Sequence, residues 1–181
     1  TFTMKKLLLL LAAPLIAAAV SCTKNTAETA DVFDTPTDSI LLSDPCVLAD
    51  SASGMYYMTG TGGKLWKSRD LSMWAGPFDL IEVDTTSWMG TNPAVWAAEL
   101  HRYGDKYYCF ATFTNEAIRI DSAGVMPRRA SHVMVSDRPE GPYRPVSDKD
   151  YLPADKLTLD GTLWVEDGKP YMVYCSEWLQ N

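Results

Sequence analysis

Residues 43–61 read SDPCVLADSASGMYYMTGT. An aspartate and a proline precede a short apolar run, small turn-forming residues follow, and a second run opens on Tyr56-Tyr57. Two apolar segments flanking a Ser/Gly turn predict a β-hairpin. Asp44 stands at its mouth, next to Pro45. A proline is tolerated there if the strand is a sheet edge, because no ladder donor is lost.

The plan recurs twice. Residues 94–112, AVWAAELHRYGDKYYCFAT, have an apolar lead, an acidic residue, a tight turn at Gly104-Asp105 and the pair Tyr107-Tyr108. Residues 157–178, LTLDGTLWVEDGKPYMVYCSEW, turn at Asp167-Gly168. Asp-Gly between apolar runs is a strong hairpin signal, since glycine readily takes the positive φ of two-residue turns. The acidic positions Asp44, Glu99 and Asp160 are then 55 and 61 residues apart. A second echo lies between the hairpins. KSRDLSMWAGPF around Ser68 and MVSDRPEGPY around Ser136 both place Ser and Asp after a strand and end in Gly-Pro-aromatic, with Gly76 and Gly141 65 residues apart.

No helical periodicity is sustained after the N-terminal segment. Units of four short strands repeating at this interval predict an all-β fold, a β-propeller. In that architecture the first strand of each blade lines the central channel. One carboxylate per blade at that level converges on a single pocket despite the distance along the chain.

Composition narrows the partners. The 181 residues are 46% hydrophobic with a formal net charge of −7, which argues against nucleic acid as a partner, since phosphate binding needs clustered Lys and Arg. At the N-terminus Lys5 and Lys6 precede an apolar run from Leu7 to Val20, closed by Ser21 and Cys22. That pattern is a secretory signal, and the cysteine makes residues 1–22 resemble a bacterial lipoprotein signal with Cys22 as the lipidated residue. Residues 23–39 are polar and acidic and read as a flexible tether, leaving residues 40–181 as the folded domain. The expected location is outside the cytoplasm, anchored to a membrane by lipid. Cys46, Cys109 and Cys175 each sit in an apolar run and are expected to be buried thiols.

The ordered pieces Asp44-Pro45, WAAEL at Trp96 to Leu100, LDGTLWVEDGKPYMVY at Leu159 to Tyr174 and the two Ser-Asp…Gly-Pro elements together resemble glycoside hydrolase family 43. Its members are five-bladed propellers acting mainly on arabinose- and xylose-containing glycans. The resemblance implies that the chain holds two blades and the start of a third. It implies an inverting mechanism with an oligosaccharide or polysaccharide substrate and no required cofactor; Ca2+ is known in some relatives but no ligand loop here indicates it.

By this resemblance Asp44 is the general base and Asp160 the aspartate that tunes the general acid. The acid itself is expected about one blade further on, beyond Asn181, with Glu177 as the only candidate in the final stretch. Glu99, Trp96 and Trp164 are candidate sugar-contacting residues. The family commonly reads Trp-Ala-Pro-acid and Asp-Pro where this chain has Trp96-Ala97-Ala98-Glu99 and Asp160-Gly161. A glycan-binding propeller without catalysis, and a structural or adaptor propeller, are the alternatives. His101 and His132 have no metal-site spacing.

Overall fold

A computed structural model of the chain describes residues 30–147, 152 and 156–177. The signal segment, Cys22 and Trp178 lie outside the described residues.

Strands β1 (Thr35–Pro36), β2 (Cys46–Asp50), β3 (Met55–Thr59), β4 (Lys64–Ser68) and β5 (Met73–Asp79) form one antiparallel sheet in the order β1-β5-β4-β3-β2. Strands β6 (Ala94–Tyr103), β7 (Lys106–Arg119), β8 (Pro127–Ser136) and β9 (Arg144–Pro145) form a second, in sequence order. Strands β10 (Thr158–Glu166) and β11 (Lys169–Ser176) form a two-stranded sheet. Four-stranded meanders that pack face against the next meander are propeller blades. The described residues therefore form two blades and the first hairpin of a third, with no α-helix among them.

The turns follow from local chemistry. Glu166 pairs with Lys169 across Asp167-Gly168, and both turn residues have positive φ, 50° and 72°. That is the type I′ geometry Asp-Gly favours. Ser68 closes β4, its hydroxyl accepting the amide of Leu71 at 2.9 Å, and Ser136 closes β8, accepting the amide of Arg138 at 3.2 Å. The Gly76-Pro77 and Gly141-Pro142 bonds are both cis. The repeated Ser-Asp…Gly-Pro elements thus share a serine that accepts a following amide and a cis Gly-Pro bond.

The core lies between the blades. Tyr57 and Leu65 from blade 1 meet Leu100, Cys109 and Phe113 from blade 2, with Leu80 and Tyr143 joining them across the connecting segment. Burying a leucine or phenylalanine side chain such as Leu65, Leu100 or Phe113 contributes about 1.5–3 kcal/mol. A buried polar group fastens the same interface. Asp50 accepts hydrogen bonds from Ser53 Oγ at 2.7 Å and from Tyr107 Oη of the next blade at 3.0 Å. Tyr57 Oη reaches Glu140 at 2.8 Å.

Two expectations need correction. Residues 31–39, read as part of a tether, are held against blade 1. Thr35 and Pro36 pair with Trp74 and Met73, Lys67 lies 2.5 Å from Asp31, and Arg69 covers the Phe33 ring at 4.2 Å. Trp74, 1% exposed, donates its indole N–H to Thr37 Oγ1 at 2.8 Å. The polar composition that suggested a linker instead complements the cations and the free edge of the outermost strand. Cys109 is buried as expected and Cys46 is half-buried, but Cys175 is exposed, because no further sheet covers its face of β11 among the described residues.

Candidate active site

Three residues enter the inner strands with the backbone in the left-handed region: Asp44 (φ 54°), Ala97 (φ 42°) and Asp160 (φ 52°). For a residue with a Cβ this conformation costs about 1–2 kcal/mol, so its repetition marks a shared structural demand. Ala97 lies in a β-bulge between Trp96 and Glu99, and Asp160 in one between Leu159 and Thr162. Beyond these points regular pairing resumes at Cys46–Thr59, Glu99–Phe110 and Thr162–Val173. The repeat therefore aligns Asp44, Ala97 and Asp160. Glu99 is the counterpart of Cys46 and Thr162, two residues further along, so the spacing read from sequence aligned the wrong residue of blade 2.

A threonine fixes two of these entry points, Thr61 just past β3 for Ala97 and Thr112 within β7 for Asp160. Thr61 Oγ1 donates to Asp44 Oδ2 at 2.7 Å and accepts the Ala97 amide at 3.0 Å. Thr112, at the equivalent place in blade 2, accepts the Asp160 amide at 3.0 Å. Each hydroxyl thus reaches from its own blade to the start of the next inner strand. Gly161 explains a departure from the family pattern. Its amide donates to Ser131 Oγ at 3.1 Å, and a Cβ there would lie 2.9 Å from Ser131 Cβ. Proline offers neither the donor nor the space.

Glu99 approaches the same region from one step deeper. Its Oε2 lies 2.9 Å from His101 Nε2 and accepts Thr162 Oγ1 at 2.7 Å. Partial desolvation, followed by the charges of Asp44 and Glu99, holds the Asp160 carboxyl above the ordinary aspartate value. Three carboxyl groups from three blades therefore share one electrostatic field. Like charges in such a site keep one of them from ionising freely.

Beside Asp160 is a hollow of about 140 Å³ lined by Trp96, Thr112, Arg129, Leu159 and Asp160. Trp96 is 45% exposed, with its indole N–H donated to Thr114 Oγ1 at 3.1 Å. Arg129 donates Nε–H to the same Thr114 oxygen at 2.9 Å and Nη1–H to Glu177 at 2.6 Å. Its guanidinium carbon is 5.7 Å from the centre of the Trp96 ring. A ring with a free face beside carboxylates suits an uncharged polyol, which stacks its C–H face and offers hydroxyls to the acids.

The structure thus brings Asp44, Asp160, Glu99 and Trp96 together. Glu177, expected as a candidate proton donor, instead uses its carboxylate to accept from Arg129, and its side chain is 7% exposed. Trp164 does not line the hollow. It pairs with Tyr171 across β10 and β11 and is 57% exposed. Among the described residues no group of three or more His, Cys, Asp or Glu is placed to hold a metal ion.

The model of the family described as glycosyl hydrolases family 43 matches residues 33–181. The chain belongs to this family. An extracellular endo-α-(1→5)-L-arabinanase from Thermotoga petrophila is 30% identical over 152 residues, covering 72% of this chain and 28% of the relative. The crystal structure of an endo-arabinase from Bacteroides thetaiotaomicron superposes with a TM-score of 0.65 at 31% identity, covering 83% of this chain and 50% of that one. An α-L-arabinofuranosidase from Lactobacillus brevis shares the fold at 19% identity, with a TM-score of 0.53 and coverage of 75% and 44%. The chain spans between a quarter and a half of these family 43 proteins.

Sequence reading missed Thr61, Thr112, Thr114 and Arg129. The first two had a signal, since the first two repeat units, residues 43–61 and 94–112, both end in threonine. Thr114 and Arg129 had none, because their importance arises from what faces them across β7, β8 and β10.

Proposed function

We propose that this family 43 chain carries the base and the tuning aspartate of a glycoside hydrolase that cleaves arabinose- or xylose-containing glycans with inversion. Linear α-1,5-arabinan is the first substrate to test. The observation that carries the reading is geometric: Thr61 ties Asp44 to Ala97 beside Trp96, and Trp96 and Asp160 line one hollow. The names of two relatives, an endo-α-(1→5)-L-arabinanase and an endo-arabinase, support the choice of substrate.

In this reading Asp44, oriented by Thr61, accepts a proton from the attacking water. Asp160 holds and tunes the acid that protonates the leaving oxygen. Inverting pairs stand about 6.5–9.5 Å apart to admit the water. Trp96 supplies the stacking face. Export is part of the proposal, supported by the extracellular relative and by the Lys5-to-Cys22 pattern, with lipid carried on Cys22.

Hydrolysis of 1,5-arabinan, aryl arabinofuranosides and aryl xylosides by the protein and its Asp44→Asn variant tests the chemistry. A positioned general base contributes about 10²- to 10⁴-fold, and a loss of that size is expected. Equal rates in the two proteins remove Asp44 from the mechanism. Binding of these glycans without hydrolysis favours the non-catalytic reading. Mass spectrometry of the mature N-terminus tests the anchor: a diacylglyceryl adduct on Cys22 supports it, and an unmodified cysteine rejects it.

A further inference from the structure

We propose that Arg129 is a sugar-contacting residue of the hollow beside Asp160 and that Glu177 is the positioning residue that aims it. The proposal deepens the glycosidase reading and rests on it.

A guanidinium carries five N–H donors in one plane. Arg129 commits one, on Nε, to Thr114 and one, on Nη1, to Glu177. The other three have no partner among the described residues, and the side chain, 25% exposed, lines the hollow. Two anchors in the plane of a rigid fork fix its orientation. The remaining donors are thereby fixed in the same plane.

The rest of the lining cannot supply what Arg129 supplies. Asp160 is an acceptor when ionised, and Leu159 offers no polar side chain. The Trp96 N–H is given to Thr114, and the Thr112 hydroxyl is engaged by the Asp160 amide and Ser131 Oγ at 3.2 Å. Among these side chains Arg129 alone has uncommitted donors. A neutral sugar presents ring and hydroxyl oxygens that need donors, while the acids satisfy only its O–H groups.

Glu177 is built for the aiming role. Its amide donates to the Leu157 carbonyl at 3.0 Å, which seats it at the end of β11 opposite the start of β10. Burying an ion pair contributes little net stability, so holding the guanidinium is the effect of placing it there. Thr114 takes hydrogen bonds from both Arg129 and Trp96, so the donor fork and the stacking ring are registered on one oxygen.

The test is calorimetric binding of linear 1,5-linked arabinohexaose in the Asp44→Asn background, which keeps the ligand intact. Arg129→Lys retains a cation beside Glu177 but loses the fork, and about tenfold weaker binding is expected. Replacing both partners, Arg129→Met with Glu177→Met, leaves no buried charge alone, and a ten- to hundredfold loss is expected, the range for hydrogen bonds to charged groups. Glu177→Ala is expected to weaken binding severalfold, Glu177→Gln to restore it within about threefold, and Glu177→Ala to add nothing on top of the Arg129 change. Affinity within twofold of the parent in Arg129→Lys overturns the proposal even if the double replacement does not fold. Full affinity in a folded Glu177→Ala protein overturns the aiming role. If the parent binds no arabino-oligosaccharide, the inference falls together with the functional reading; if it binds and the Arg129 variants bind equally, the inference alone falls.

Discussion

The Thr61 hydroxyl donates to Asp44 at 2.7 Å while accepting the amide of Ala97 at 3.0 Å. One oxygen therefore sets the aspartate of blade 1 and the strained entry to the inner strand of blade 2. Thr61→Val removes both bonds while keeping the shape. We expect a loss of about 1 kcal/mol in stability and a drop of about tenfold in kcat/KM on arabinan, with Thr61→Ser within twofold of the parent. Denaturant melts and steady-state kinetics check the pair.

Asp160 titrates above the ordinary aspartate value of 3.8. A carboxyl whose folded pKa is raised contributes stability that is fully present below the unfolded value and lost as pH rises through the folded one. Asp160→Asn has no such loss. Its melting temperature relative to the parent is expected to rise between pH 3.5 and pH 7, by no more than about 2–4 °C, while activity collapses. A pH-independent difference contradicts the shared field.

Glu99→Gln deletes one of the two charges that act on Asp160. The Asp160 carboxyl is expected to titrate closer to 3.8, read directly from its carbon resonance across a pH series. Since Glu99 also accepts from Thr162 and His101, glutamine keeps an acceptor for one of them, and the fold is expected to survive. An unmoved titration places Glu99 outside the site.

Asp50 behaves in the opposite sense. Burial pushes its carboxyl up, but hydrogen bonds from the Ser53 side chain and amide and from Tyr107 outweigh that and leave it below the ordinary value. Its contribution is present above pH 3.8 and lost as pH falls through the depressed folded value. Asp50→Asn presents an NH₂ to donors and is expected to cost about 1–3 kcal/mol at neutral pH. The deficit should shrink in acid, as thermal melts at pH 7 and pH 2.5 will report.

Much of this was legible in the linear chain because hairpins are local. Residues 43–61 and 157–176 carry alternating apolar runs bounded by Gly, Ser and Asp, and turn chemistry alone sets where those strands reverse. The Ser68 and Ser136 elements were legible for the same reason. The exposure of Cys175 was not, because an apolar strand reads the same whether or not a second sheet covers it. Residues 31–39 misled in the other direction: their polarity describes a linker equally well as a strand whose partners, Lys67, Arg69 and Trp74, lie more than thirty residues away.

From its sequence alone this protein was fixed as a repeating all-β chain with acids placed once per unit, since strand period, turn residues and repeat length are properties of neighbours along the polymer. Tertiary structure alone decided which residue of blade 2 matches Asp44, that Glu177 holds Arg129, and that Trp96 rather than Trp164 flanks Asp160. A one-residue bulge shifts the register of everything after it, and side chains from different blades meet only when sheets stack around an axis, so neither leaves a mark on local sequence.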